Sequence, residues 1–342
     1  MAKKLGKQSY IMQNCPSARA FAAVGGKKEA EGPMAEHFDI LEQDTTFGQD
    51  SWEKAESYMV SLAAKHALRK AALTPNDIDC VFAGDLLNQC ISSTFGLRDL
   101  GIPLLGIYGA CSTMAEGLLL SSLLIDSKTA NRAMAMTSSH FCTAERQYRF
   151  PLEYGSIRPP SAQWTATSSG AVILEQGSRP PFVRAATTGL VVDAGVTDQN
   201  NMGAAMAPAA VSTLLAFFED SGMTPEQFDL IVTGDLGLIG SRLFVELVER
   251  EGCDIKSKHA DCGLMIFDRQ KQDVHSGGSG CGCSAAMLCG YLLPAMREGK
   301  LKNILFMATG ALLSPTTVQQ KESIPSIAHL IWFSTEKGGA DI

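Results

Sequence analysis

The chain has 342 residues, of which 45% are hydrophobic and 19% charged, and carries a net charge of -7 at pH 7. That much apolar side chain builds a sizeable core and excludes a disordered protein, and domains of ~100–200 residues make two domains or two fused halves the expectation. The acidic balance, with no Lys/Arg cluster in the sequence, excludes a nucleic-acid-binding face.

The ten cysteines are irregularly spaced, with Cys281 and Cys283 separated by one glycine, so they do not read as a disulfide framework. The start, "MAKKLGKQSYIM", lacks the apolar segment of a signal peptide, and the two features together imply free thiols in a reducing cytosol. No run approaches the ~20 apolar residues of a spanning helix, so any membrane association is expected to be peripheral.

In chain order, the first strong element is a helix over 50–72, with apolar residues at 52, 55, 59, 62 and 66 and Asp50 and Glu53 spaced as a capping box. His66 lies on that stripe and reads as a core histidine. Next, "LTPNDIDCVFAGDL" (73–86) reads as a Thr-Pro turn, a buried strand and a loop opened by glycine. Then "GIYGACSTMAEGLLL" (106–120) places Cys111 where the strand "LLGIY" ends and a helix begins. A helix N-terminus offers unpaired N–H groups and about half a positive charge, which favours a thiolate or a bound anion. Cys111 is therefore a candidate nucleophile, but a nucleophile also needs a base within reach.

The second half repeats the first. "MTPEQFDLIVTGDL" (223–236) matches 73–86 at an offset of 150, and "CGCSAAMLCGYLLPAMREGKLKNILFMATGA" matches the Cys111 segment at 172, pairing Cys111 with Cys283. "NNMGAAMAPAAVSTLLAFFEDSGM" takes the place of the 50–72 helix. Strands alternating with helices imply an α/β fold with mixed, mainly parallel sheets. The expected architecture is two pseudo-symmetric βαβ halves, 1–178 and 179–342, around a central helical layer, joined near 176–186, where "EQGSRPPF" supplies turn signals.

Other residues read blandly. Cys-x-Cys at 281 and 283, with His259 and Cys262, lacks zinc-knuckle spacing, so no metal site is expected. "GGSGCG" lacks the Lys-Ser/Thr of a phosphate loop. His329 sits inside the apolar run "IAHLIWF" as a core residue, and Asp235 duplicates Asp85 as a loop cap.

The duplicated half, with a cysteine at the start of its central helix, resembles the thiolase superfamily. More specifically, "AGDLLNQ", "GACST", "TSSHFCTAERQYRFPLEYG", "MGAAMAPAA", "HADCGLMI", "GGSGCGCSA" and "ATGALLSPTTVQQKESIPSIAH" resemble the stage V sporulation protein AD family of endospore-forming bacteria. The resemblance implies a thiolase-like fold, binding of dipicolinic acid, and a part in its uptake into the developing spore beside membrane proteins of the same operon. It places the chain in the cytoplasm, peripheral to the forespore (later spore inner) membrane. It also implies a homodimer, with "TSSHFCTAERQYRFP" crossing the interface.

The superfamily's catalytic positions do not carry bases here. The histidine of the condensing synthases falls on Gly234, that of the thiolases on Gly278, the synthase asparagine near Gly282, and the second thiolase cysteine in "MATGALL", which has none. The expectation is a non-catalytic receptor without a resident cofactor, binding its ligand through Cys111, Asp85, Asn88, Ser139 and His140, with Arg146 as a bidentate carboxylate partner. Asp85 would repel a bare dianion, which favours calcium arriving with the ligand. The alternatives are an active acyltransferase or ketoacyl-synthase-like enzyme using Cys111 with His140 or His275 as base, and a scaffold that only assembles the transport complex.

Overall fold

The repeated Thr-Pro turn is the first thing the two halves share in three dimensions. In the computed structural model, which describes residues 1–148 and 158–338, Thr74 donates from its backbone and hydroxyl to the Asp77 carboxylate (2.7 and 2.8 Å). Thr224 does the same with its amide to Gln227 (2.8 Å). Each turn opens on a proline and launches a strand buried along most of its length.

The first half runs β1 (Ser17–Gly25), α1 (Trp52–Ala71), β2 (Cys80–Asp85), α2 (Ile91–Leu97), β3 (Leu104–Gly106), α3 (Thr113–Asp126), β4 (Arg132–Ser139), α4 (Phe141–Tyr148) and β5 (Ser168–Glu175). The second runs β6 (Phe182–Thr187), α5 (Met202–Ser221), β7 (Leu230–Thr233), α6 (Gly237–Arg250), β8 (His259–Asp261), α7 (Cys281–Met287), α8 (Leu293–Arg297), β9 (Asn303–Ala311) and β10 (Ser326–Ser334). Short flanking strands and turns complete the chain.

The strand order is β8-β7-β9-β10-β6-β1-β5-β4-β2-β3, the same five-strand arrangement twice, joined where Phe182 pairs with Ser17. This is the expected α/β class with mixed sheets. Within each half two junctions are parallel and two antiparallel, so parallel pairing does not dominate. The antiparallel strands β5 and β10 are buried nearly throughout, so they lack the alternation that would have marked them.

Helices α3 and α7 lie between the two sheets. Met114 and Leu118 of α3 and Ala285 and Ala286 of α7 share one core with Val172, Phe306 and Phe333. Helix α1 covers the outer face of the first sheet and α5 that of the second, giving five layers.

Several local expectations change. Ser51 caps α1, its hydroxyl accepting from Lys54 N at 3.3 Å, while Asp50 pairs with the Lys54 ammonium at 2.8 Å. His66 is half-buried and faces Asp39 at 3.5 Å rather than the core. Helix α5, with 20 residues and a mean hydropathy of 1.4, does meet the length and composition of a spanning helix. It reads as the core helix of the second outer layer, because half of that stretch is buried, against β9 and β10.

The repeat register also shifts. Asp79 accepts the amides of Asn131 and Arg132, and Asp229 those of Lys302 and Asn303, so the following strands correspond at an offset of 171 (132 to 303). Between α7 and α8 the helix makes a π turn, Leu288–Leu292, which holds one extra residue. Upstream of that turn the offset is 170, and Cys111 matches Cys281 instead of Cys283. Each of the two follows a residue with left-handed backbone, Ala110 (φ 50°) and Gly280 (φ 96°).

Candidate functional site

Cys111 sits in a single tight turn, Ala110–Ser112, that leads into α3. The turn is closed by its own side chains: Ser112 Oγ donates to Gly109 O (2.7 Å) and Thr113 Oγ1 to Ala110 O (2.7 Å). It packs directly on β9, where Gly310 is required because a Cβ there would lie 2.1 Å from Gly109 O.

Cys111 is 5% exposed, and the Asp235 charge and the Gly280 amide both act on its thiol. Asp235 is itself buried and accepts from Gly280 N (2.8 Å), Ser279 Oγ (3.1 Å) and Thr309 Oγ1 (3.0 Å). Burial raises its acid to about 6. Burial, and then the neighbouring Asp235 charge, push the thiol well above its ordinary value. The surroundings therefore keep the sulfur protonated, the opposite of activation.

Among the described residues no histidine hydrogen-bonds to this sulfur. His140 is buried, its Nε2 2.8 Å from Thr45 O and its Nδ1 accepting from Cys142 N. His275 faces the Asp273 carboxylate at 3.3 Å on the surface. Among the described residues no group of three or more His, Cys, Asp or Glu is placed to hold a metal ion.

The sulfur opens onto a narrow cavity, with about 40 Å³ of space for the centres of water-sized occupants. Its walls are apolar at Leu86, Ala110, Ala144, Met202, Ala311 and Leu313, and polar at Tyr108, Tyr148, Thr165, Gln199 and Ser279. The two phenol oxygens meet at 3.1 Å, and Tyr148 donates onward to Leu86 O (2.6 Å). Gln199 Oε1 is buried without a hydrogen-bond partner. No cationic side chain lines the cavity among the described residues.

Of the six residues expected to bind ligand, only Cys111 lines this cavity. Asp85 instead caps the loop into α2, accepting from Leu87 N (3.0 Å) and from Ser93 N and Oγ (2.8 and 2.7 Å). Asn88 is exposed and its amide donates to Gln147 (3.0 Å). Ser139 donates to Ala166 O (2.7 Å) and accepts from Gly282 N (3.2 Å), which seats α7. Arg146 pairs with Glu53 (2.9 Å) and covers the Trp52 ring on the surface. Each is drawn to another partner: Asp85 caps its own loop, Ser139 holds α7, His140 meets Thr45 O, and Asn88 and Arg146 meet Gln147 and Glu53. Of the segment expected to cross a dimer interface, Thr137–Tyr148 lies in β4 and α4, while 149–151 fall outside the described residues.

The sequence pattern of this architecture has relatives. The family profile described as stage V sporulation protein AD matches residues 6–334. The chain belongs to that family. It is 44% identical over 338 residues to the stage V sporulation protein AD of Bacillus subtilis strain 168, covering 99% of each chain. Solved structures similar in fold include the cerulenin-bound OleA of Xanthomonas campestris, with a TM-score of 0.59 at 14% identity over 94% of this chain and 98% of that one. Another is 3-oxoacyl-[acyl-carrier-protein] synthase III of Aquifex aeolicus, with a TM-score of 0.54 at 14% identity over 81% and 84%. These likenesses establish the thiolase-like fold.

The site residues missed in the sequence differ in how well they were signalled. Tyr108 stands three positions before Cys111, and Tyr148 stands four after Ala144 on one helix face, so both were within reach of spacing arguments. Asp235 was read as a loop cap, and only the packing of β9 on the Cys111 turn brings it to the thiol. Gln199 sits in a loop and gave no signal.

Proposed function

We propose that this sporulation protein is a non-catalytic receptor for dipicolinic acid, serving its uptake into the forespore. It works from the cytoplasmic side, peripheral to the forespore membrane, beside membrane proteins of the same process. The observation that carries the reading is the Cys111 thiol: it occupies a nucleophile's place, but burial and the Asp235 charge hold it protonated where a neighbouring cation would activate it. The ligand identity rests on the family resemblance. The cavity suits a flat aromatic acid, with apolar walls, two tyrosine rings and hydroxyl or amide groups at Tyr108, Thr165, Ser279 and Gln199.

Asp85 no longer argues for calcium, since it faces away from the cavity. The lining itself does. A bare dianion would shed its water without meeting a counter-charge, whereas a neutral calcium–dipicolinate complex would not. Calorimetry with dipicolinate alone and with equimolar calcium tests both points. Heat of binding only or mainly with calcium is the expected result, and no binding at millimolar ligand by folded protein overturns the reading.

A homodimer is supported by the open edge of β3. Leu104 and Leu105 are 37% and 48% exposed there, beside exposed Ile91, Phe95 and Tyr108, and among the described residues β3 pairs only with β2. The competing enzyme reading is favoured by the presence of Cys111 alone. An acyl adduct on Cys111 after incubation with acyl-coenzyme A, found by mass spectrometry, would establish it.

A further inference from the structure

A second concave site lies at the far end of the central helix. Arg297 is the last residue of α8, sixteen residues after Cys281, which at 1.5 Å per residue is about 24 Å along the helix. It meets Arg19 at the start of β1, Lys70 at the end of α1 and Arg179 in the link between the halves. Together with Pro180 these four cations line an open pocket of about 360 Å³, with no carboxylate in the lining.

Two of the four already have counter-ions nearby. Lys70 contacts Asp39 at 2.7 Å, and Arg19 lies 3.6 Å from Glu175, which Arg132 holds more closely at 2.8 Å. The other two do not. Arg297 donates only to the carbonyls of Ala18 (2.7 Å) and Arg19 (3.0 Å) while resting on the Phe21 ring. The Arg179 guanidinium has no partner among the described residues. Burial, then Arg179 and Arg19, press on the Arg297 charge and lower its pKa. A chain with a net charge of -7 thus gathers uncompensated positive charge in one hollow. Folding alone gains nothing from that arrangement, because like charges at short range repel.

We propose that this pocket binds an anionic phosphoryl group, either free or as a lipid headgroup at a bilayer surface. Guanidinium forks arriving from different elements suit tetrahedral oxygens, each able to take paired N–H bonds. The site shares no residue with the Cys111 cavity and stands independently of the function assigned there.

The test uses the full chain with inorganic pyrophosphate in calorimetry, and vesicles of phosphatidylglycerol against phosphatidylcholine in co-sedimentation. The variants are Arg179→Glu and Arg297→Gln, with Lys302→Gln, outside the pocket, as the charge control. Circular dichroism checks that each is folded, and Arg179, being exposed, keeps the test valid if Arg297→Gln fails to fold. Binding of pyrophosphate, of phosphatidylglycerol vesicles, or of both, weakened about tenfold or more by Arg179→Glu and unchanged by Lys302→Gln, is the expected result. The arm that binds identifies the source. Absence of binding in both arms, or binding indifferent to Arg179→Glu, overturns the proposal. So does a pocket that takes dipicolinate in an Arg179-dependent way while ignoring both phosphoryl probes.

Discussion

Cys111 shows how one neighbour decides what a residue can do. Its turn supplies backbone groups that would favour a thiolate, but burial and the Asp235 charge both hold the thiol protonated. The thiol is expected to alkylate slowly near neutral pH. Peptide mapping after iodoacetamide should show Cys90, Cys142 and Cys253, which are partly exposed, labelled before it. Asp235→Asn removes the nearby charge and should raise the Cys111 labelling rate several-fold while leaving Cys253 unchanged. If Cys111 is the most reactive thiol in the unsubstituted protein, the account of an inert sulfur is wrong. Polar partners of this kind were the least legible part of the sequence. Asp85 and His140 were visible as polar residues after strands, but which way each turns depends on Ser93 and Thr45, contacts that spacing does not encode.

At the scale of elements, the repeat was legible because it rests on turn chemistry, Thr-Pro followed by a buried strand, that repeats in the letters themselves. Its register was not. A single π turn within the second central helix moves the correspondence by one residue, and nothing in "LCGYL" announces it. The antiparallel pairing of β5 and β10 was equally hidden, since strands buried throughout read alike in either direction. The contact between β9 and the Cys111 turn gives a direct prediction. Gly310→Ala would place a methyl group against backbone, Gly109 O, which cannot rotate away. Thermal melting should show a loss of about 1–3 kcal/mol, and dipicolinate binding should weaken with it because the cavity wall moves. A variant as stable as the parent with the same affinity would mean that the turn is not held by that strand.

Across the whole molecule, buried carboxyl groups set the pH dependence of stability. Burial raises Glu29 and Asp261 to about 7, Glu56 to about 8 and Asp235 to about 6. Folded values above the unfolded ones mean that their contribution is full below an unfolded pKa of ~4 and is lost as pH rises through about 6–8. His259 and His329, lowered to about 4 by burial, act with the opposite sign, their contribution being lost as pH falls from ~6.5. Four acids outweigh two histidines, so melting temperature should fall as pH rises from about 4.5 to about 8 and level off above that. A flat profile over that range would show that these acids ionise without cost.

The same view of the whole chain singles out its two sheet ends, which carry equivalent strands in unequal surroundings. At one end β8 has a buried Asp261, and at the other β3 is exposed at every residue. An unpaired strand with apolar side chains templates further pairing, and a two-fold contact satisfies it with one copy of itself. Tyr108 belongs both to that exposed edge and to the cavity wall, so a second copy seated there would also bound the ligand site. Leu105→Lys, at a position that is 48% exposed, should leave the fold intact and shift sedimentation from dimer to monomer. It should also weaken dipicolinate binding if the partner closes the Tyr108 side of the mouth. Sedimentation as a monomer before any substitution would remove the dimer, and would leave the β3 edge as an unpaired strand that only its short length protects.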